Sequence, residues 1–179
     1  MARWLVTATD EVDGLLICGV YGTGKSSLAA EIAETLERRG VSYGALDLDW
    51  LTWFDVPGMD RHAARDVYLD NVASVVRNYR AAGVRHLVMA GSVRDRGEVR
   101  ALATAAAVPL RVVRLEVPLE EITRRLQPDP TSGRRDDLGV AAQWLADSTG
   151  VGVEDLSVVN TGPIQDVASQ IIDWLGWTP

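Results

Sequence analysis

The sequence predicts an α/β chain in which a parallel sheet is covered by helices on both faces, making a three-layer sandwich. Three observations predict it. Five short apolar runs alternate with longer stretches whose apolar residues recur at helical spacing, and neighbouring parallel strands need such crossovers. The first apolar run opens into a Gly-rich stretch followed directly by a helical pattern. The length of 179 residues, with 47% hydrophobic and 24% charged residues, suits one compact domain and excludes a wholly disordered chain.

The elements follow in order. Residues 15–20 form a continuous apolar strand. Residues 27–39 carry Leu28, Ala29, Ile32, Ala33 and Leu36 at helical spacing, and Gly40 is the stop. A second strand is predicted over 42–49. A long helix over 61–82 places Val67, Leu69, Val72, Val75 and Val76 among its apolar positions. Strand three is 86–90, and an alanine-rich helix covers 95–107. Strand four is 110–117. Pro118 then opens the helix 119–126, where its missing N–H does no harm. Residues 127–137, with Pro128, Pro130, Gly133 and acids among paired arginines, break the pattern. Helix resumes over 138–147, strand five is 156–159, and residues 163–175 close the chain as a helix. One domain spans 1–179, with 127–137 as a lid segment.

Charge narrows the function classes. The chain has 18 basic against 25 acidic residues, a net charge of −7. That balance argues against a general nucleic-acid binder, which needs a basic face to neutralise phosphates. Of the basic residues 17 are Arg and one is Lys, at position 25. The single cysteine, Cys18, follows Leu15, Leu16 and Ile17; it reads as a buried strand thiol and can form neither an internal disulfide nor a cysteine metal cluster. Met1 to Trp4 lead into mixed polar residues rather than the apolar core of a leader. No run approaches the roughly 20 apolar residues of a membrane span. The expectation is a soluble cytoplasmic protein.

Gly19-Val20-Tyr21-Gly22-Thr23-Gly24-Lys25-Ser26 fits G-x-x-x-x-G-K-[ST] at every specified position, between a strand and a helix. Glycines let successive N–H groups turn inward around a phosphate, and the helix N-terminus adds its positive dipole end. Lys25 is expected on the β- and γ-phosphates, and the Ser26 hydroxyl on Mg²⁺; Ser27 follows on the same turn. A dinucleotide fingerprint fails, because Ser27 stands where the third glycine belongs. The guanine-specific N-K-x-D motif is impossible without a second lysine. The ABC signature is absent, the chain is short for an AAA+ machine, and no apolar strand ends in Asp-Glu.

Strand two instead ends Leu46-Asp47-Leu48-Asp49-Trp50. Alternation along a strand would put Asp47 and Asp49 on one side, at the carboxyl end where ligands bind. They would hold Mg²⁺ through water or accept a proton from an attacking hydroxyl; the plainer reading is an N-cap or a solvated turn acid.

The loop, the Asp47–Asp49 pair, and Arg124-Arg125 ahead of Gly133-Arg134-Arg135 together resemble the small P-loop phosphotransferases. These are the shikimate, gluconate, adenylylsulfate and nucleoside monophosphate kinases. The resemblance implies a five-stranded parallel core of order 2-3-1-4-5 in a P-loop NTPase sandwich, with a lid closing over ATP. It implies a phosphate contact for Arg124 or Arg125 and for at least one of Arg134 and Arg135, whose planar guanidinium groups bind such oxygens in a bidentate manner; the alternative is surface pairing with Asp129, Asp136 and Asp137. It places Asn160, Thr161 and Gly162 around the adenine by backbone contacts. On the acceptor side it points to Trp50, Trp53 and Phe54, which serve equally as core filler, and to Arg61 and Arg65 for an anionic group. Gly91, with Ser92 and Arg94, would let an acceptor approach strand three. His62 and His86 read as structural or exposed, and Trp174 and Trp177 as anchors of the last helix. The expected function is ATP- and Mg²⁺-dependent phosphorylation of a small acceptor: a nucleoside, nucleotide, sugar or natural product. A nucleotide-dependent switch or slow ATPase acting through a protein partner is the alternative.

Overall fold

The computed structural model describes residues 12–126 and 132–177, with the backbone alone over 132–136. Its elements are β1 (Asp13–Cys18), α1 (Lys25–Arg38), β2 (Tyr43–Asp47), a 3₁₀ turn (Leu48–Thr52), α2 (Arg61–Ala81), β3 (His86–Ala90), α3 (Arg96–Ala106), β4 (Leu110–Glu116), α4 (Leu119–Leu126), α5 (Ser132–Ala146), β5 (Leu156–Val159) and α6 (Ile164–Leu175). The five strands form one parallel sheet ordered β2-β3-β1-β4-β5, the order that the resemblance implied. β1 is central, with Leu16 in register with Met89 on one side and Val112 on the other.

Strand alternation divides the core in two. Leu15 and Ile17 face α1 and α6, packing with Leu28, Ile32 and Ile171, while Leu16 and Cys18 face α2 and α3, packing with Val72 and Leu102. Each such side chain, fully buried, contributes about 1.5–3 kcal/mol. Cys18 is 1% exposed, and burial pushes its thiol up to about 12, so it is inert filling as the sequence implied. Trp177 is buried, donates its indole N–H to Asp13 at 2.8 Å and stacks on His86, anchoring the end of α6. Trp174 stays half-exposed beneath the Arg111 guanidinium.

Several boundaries differ from expectation, each for a local reason. β1 stops at Cys18 because Gly19 turns the chain at φ +143°. α1 begins at Lys25, where Leu28 N–H already bonds to the Gly24 carbonyl at 2.9 Å. β2 ends at Asp47, whose carboxylate accepts the Asp49 N–H at 3.0 Å and caps the 3₁₀ turn. Asp49 therefore leaves the strand, and the alternation that was to align the two acids does not operate. α5 begins at Ser132 rather than 138. The prolines that break the pattern lie before it, and Gly133 in a first turn costs little. The earlier lid residues, 127–131, lie outside the described residues.

Candidate active site

The sheet's carboxyl edge carries the loop between β1 and α1. Gly24 at φ +92° sits so close to Asn160 that a Cβ there would lie 2.8 Å from its Nδ2, so both backbone and packing demand glycine. Inside the loop, the Thr23 hydroxyl and the Lys25 ammonium both donate to the Val20 carbonyl, at 2.8 and 3.2 Å. From outside, the Thr23 carbonyl accepts Asn160 Nδ2 at 2.7 Å and Arg125 Nη1 at 3.3 Å. Arg125 also donates from Nη2 to the Asn160 carbonyl at 2.7 Å and from Nε to Glu121 at 2.8 Å. Its guanidinium thus ties α4 to the loop and to the end of β5. Arg124, 74% exposed at its side chain, grips Glu121 with Nε and Nη2, both at 2.7 Å. These two arginines hold the Glu121 carboxyl down at about 2.

Lys25 is buried, and desolvation lowers its pKa; nearby Asp49, Cys18, Asp47 and Asp137 oppose that fall. Tyr21 lays its ring 5.2 Å from the ammonium, a cation–π contact. Desolvation at the cavity wall raises the Asp49 carboxyl, Lys25 pulls it back, and Asp47 and Asp137 push it further up. Lys25 and the three aspartates thus form one electrostatic cluster.

Beside this cluster opens a cavity of about 380 Å³. The 3₁₀ turn supplies Leu48, Asp49 and Thr52, and the chain after it Phe54; α2 supplies Ala64, Arg65, Tyr68 and Leu69; α3 and the turn before it supply Ser92, Val93, Arg94, Glu98, Ala101 and Leu102. Tyr21 and Trp144 close it. Arg94 holds its guanidinium 5.8 Å above the Trp144 ring. A second cavity of about 350 Å³ lies behind the loop, against Gly19, Val20, Leu115 and Val151, and shares Val93 and Trp144 with the first.

The expected residues divide accordingly. Gly19, Tyr21, Gly22, Thr23, Gly24, Lys25, Ser26 and Ser27 stand together in the loop and first helical turn, with both serines exposed. Asp49, Phe54 and Arg94 reach the cavity, and so does Arg65, whereas Arg61 is exposed outside its lining. Trp50 and Trp53 also lie outside it, 67% and 77% exposed and stacked on each other at 4.9 Å. Gly91 does not open onto a ligand: Leu48 fills the space above it, 2.9 Å from where a Cβ would stand. Asn160 is buried behind the loop, with Thr161 and Gly162 exposed beyond it. The side chains of Arg134 and Arg135 lie outside the described residues.

Sequence reasoning missed Tyr68, Trp144 and Asp137. Tyr68 had a signal, since Ala64, Arg65, Tyr68 and Leu69 share one helical face; the other two had none.

No family model matches the sequence, and no curated protein matches it. Solved structures do. The APS kinase of Mycobacterium tuberculosis, solved with AMPPNP and APS, is 23% identical with a TM-score of 0.60, over 93% of this chain and 98% of that one. A sugar kinase from Janibacter sp. HTCC2649 is 17% identical with a TM-score of 0.61, over 92% and 95%. The shikimate kinase of Acinetobacter baumannii, solved with shikimate, is 16% identical with a TM-score of 0.55, over 94% and 95%. The chain has the fold of the small P-loop kinases.

Proposed function

We propose that the chain is an ATP- and Mg²⁺-dependent kinase of a small hydroxyl-bearing acceptor. The observation that carries this is the juxtaposition of an intact phosphate loop, with Lys25 desolvated inside it, and a cavity whose wall holds Asp49 beside that lysine. The APS kinase neighbour, solved with the triphosphate analogue AMPPNP, supports a nucleotide at the loop.

The donor set suits magnesium carried in with a triphosphate. Among the described residues no group of three or more His, Cys, Asp or Glu side chains can hold a metal by itself, and Mg²⁺ takes one or two protein oxygens plus phosphates. The Ser26 hydroxyl is exposed at the start of α1, and Asp47 keeps one carboxylate oxygen beyond its cap. Bound there, the ion would neutralise charge on the phosphates.

The acceptor oxygen attacks the γ-phosphorus in line, the bond to the β-phosphate oxygen breaks, and ADP leaves. Asp49 takes the hydroxyl proton, because it lines the cavity while Asp47 lies outside that lining and caps the 3₁₀ turn. Lys25 stabilises charge on the transferred group, and Arg134 and Arg135 complete the lid's contribution on closure. Arg125 has its three nitrogens on protein oxygens, so we assign it to holding the loop. No helix among the described residues is long and apolar enough to cross a membrane. The test is ADP release from ATP across an acceptor panel: one acceptor should raise turnover sharply. Turnover that answers only to a protein partner would overturn the reading.

A further inference from the structure

We infer that the acceptor is an uncharged, hydroxyl-bearing molecule built on an aromatic or alicyclic ring, rather than a nucleotide, sugar phosphate or carboxylate. This rests on the kinase reading and concerns the cavity beside Asp49.

The charged groups of that cavity cancel. Two arginines, Arg65 and Arg94, line it together with two acids, Asp49 and Glu98, so the described lining carries no net positive charge to offset the desolvation of an anion. Glu98 accepts the Arg94 backbone N–H at 2.8 Å, which keeps its carboxylate at the cavity wall, and the Arg94 guanidinium lies 5.8 Å from the Trp144 ring centroid. An anionic acceptor would therefore lose hydration with no net positive charge among the described lining side chains to offset it.

The remaining walls favour rings. Leu48, Phe54, Tyr68, Leu69, Leu102 and Trp144 line the volume: the 3₁₀ turn with Phe54 just after it, α2, α3 and α5 all contribute apolar or aromatic surface. Aromatic faces offset-stack or pack edge-on against a planar ring. At about 380 Å³ the cavity sits near the lower end of the roughly 300–1,000 Å³ usual for small-ligand pockets, which suits one substituted ring. Asp49, Thr52 and Ser92 are the polar points that would orient hydroxyls.

The test is a matched pair that differs in charge: 1-phenylethane-1,2-diol and mandelate, titrated against the full chain with AMPPNP and Mg²⁺ by ligand-observed NMR. The diol should bind about ten-fold more tightly than mandelate. Mandelate binding equally or better, or neither compound binding, overturns the assignment. Ala101→Phe, which fills the cavity, and Phe54→Ala, which removes one wall without touching the core, should each weaken the diol by about five-fold or more; unchanged affinity in both overturns it too. Phosphorus NMR with ATP judges the kinase reading separately. Mandelate phosphorylated keeps the kinase and overturns the class. The diol bound but never phosphorylated supports the class and overturns the kinase.

Discussion

Arg125→Met separates two roles that one arginine can play. In the structure its guanidinium donates to the carbonyls of Thr23 and Asn160 and to Glu121. Met keeps the stem's packing and removes all three bonds. Hydrogen bonds involving a charged donor contribute about 1.5–3 kcal/mol each when well enclosed. Here the side chain is 27% exposed and the Thr23 bond is long, at 3.3 Å, and the Thr23 carbonyl keeps Asn160 as a partner. The net loss should therefore be about 2 kcal/mol. For a chain of this length each kcal/mol moves Tm by about 2–4 °C, so the midpoint should fall by about 4–8 °C. Thermal melts with and without AMPPNP measure this, and steady-state kinetics should show a raised KM for ATP with a smaller change in kcat. Arg125→Lys should recover part of the loss. A variant that melts within about 1 °C of the parent yet loses kcat by a hundred-fold or more would refute the reasoning and return Arg125 to the transferred phosphate.

Lys25→Ala should lower kcat/KM for ATP by at least about 10²-fold, the usual cost of removing one charge-stabilising donor; a coupled ADP assay measures it. Asp49→Asn should leave AMPPNP affinity near the parent's but slow transfer by about 10²–10⁴-fold, with full turnover removing Asp49 from the chemistry. The same variant should make Lys25 react faster with an amine-directed reagent at fixed pH. The Asp49 charge holds the ammonium's pKa up, so losing it lowers the pKa and raises the free-amine fraction; mass spectrometry of the one lysine peptide reads this. Glu121, with its folded pKa at about 2 against an ordinary 4.5, contributes stability that is fully present above pH 4.5 and is lost as pH falls towards 2. Glu121→Gln should lower Tm at neutral pH and flatten its acid dependence in that window. An unchanged slope would show that the pairing does not survive in solution.

The sheet and the Gly-rich loop between β1 and α1 were legible because their signals are local. Five apolar runs of strand length, and glycines placed between a strand and a helix, need no knowledge of distant residues. The strand order needed the resemblance, since periodicity says nothing about which strand lies beside which. The reason that singled out Asp47 and Asp49 fails: a 3₁₀ turn, not strand alternation, sets Asp49 at the cavity, and Asp47 stays outside its lining. Arg125 was expected at a phosphate from the resemblance, and its role as a clasp was not legible, because its partners Thr23 and Asn160 stand 102 and 35 residues away. Trp144 and Asp137 reach the site only through the placement of α5, and no spacing in the sequence announces that.

The fixed end of that helix has a mechanical consequence. Just beyond α5, Gly150 at φ +76° donates its N–H to the Arg94 carbonyl at 3.1 Å, and a Cβ there would stand 2.7 Å from the Val93 oxygen. Two residues on, the Gly152 carbonyl accepts Arg96 Nε at 2.8 Å. The C-terminal end of α5 is therefore hinged to the segment that leads into α3. Fifteen residues make a rod of about 22 Å, so a tilt of roughly 10° about the hinge would carry the backbone at Ser132 through about 4 Å. Trp144, roughly 3 Å from the hinge along the rod, would move by only about 0.5 Å. A rigid lever of this kind would give unequal travel: wide displacement of the backbone at Arg134 and Arg135, and near-stillness at the Trp144 wall of the cavity.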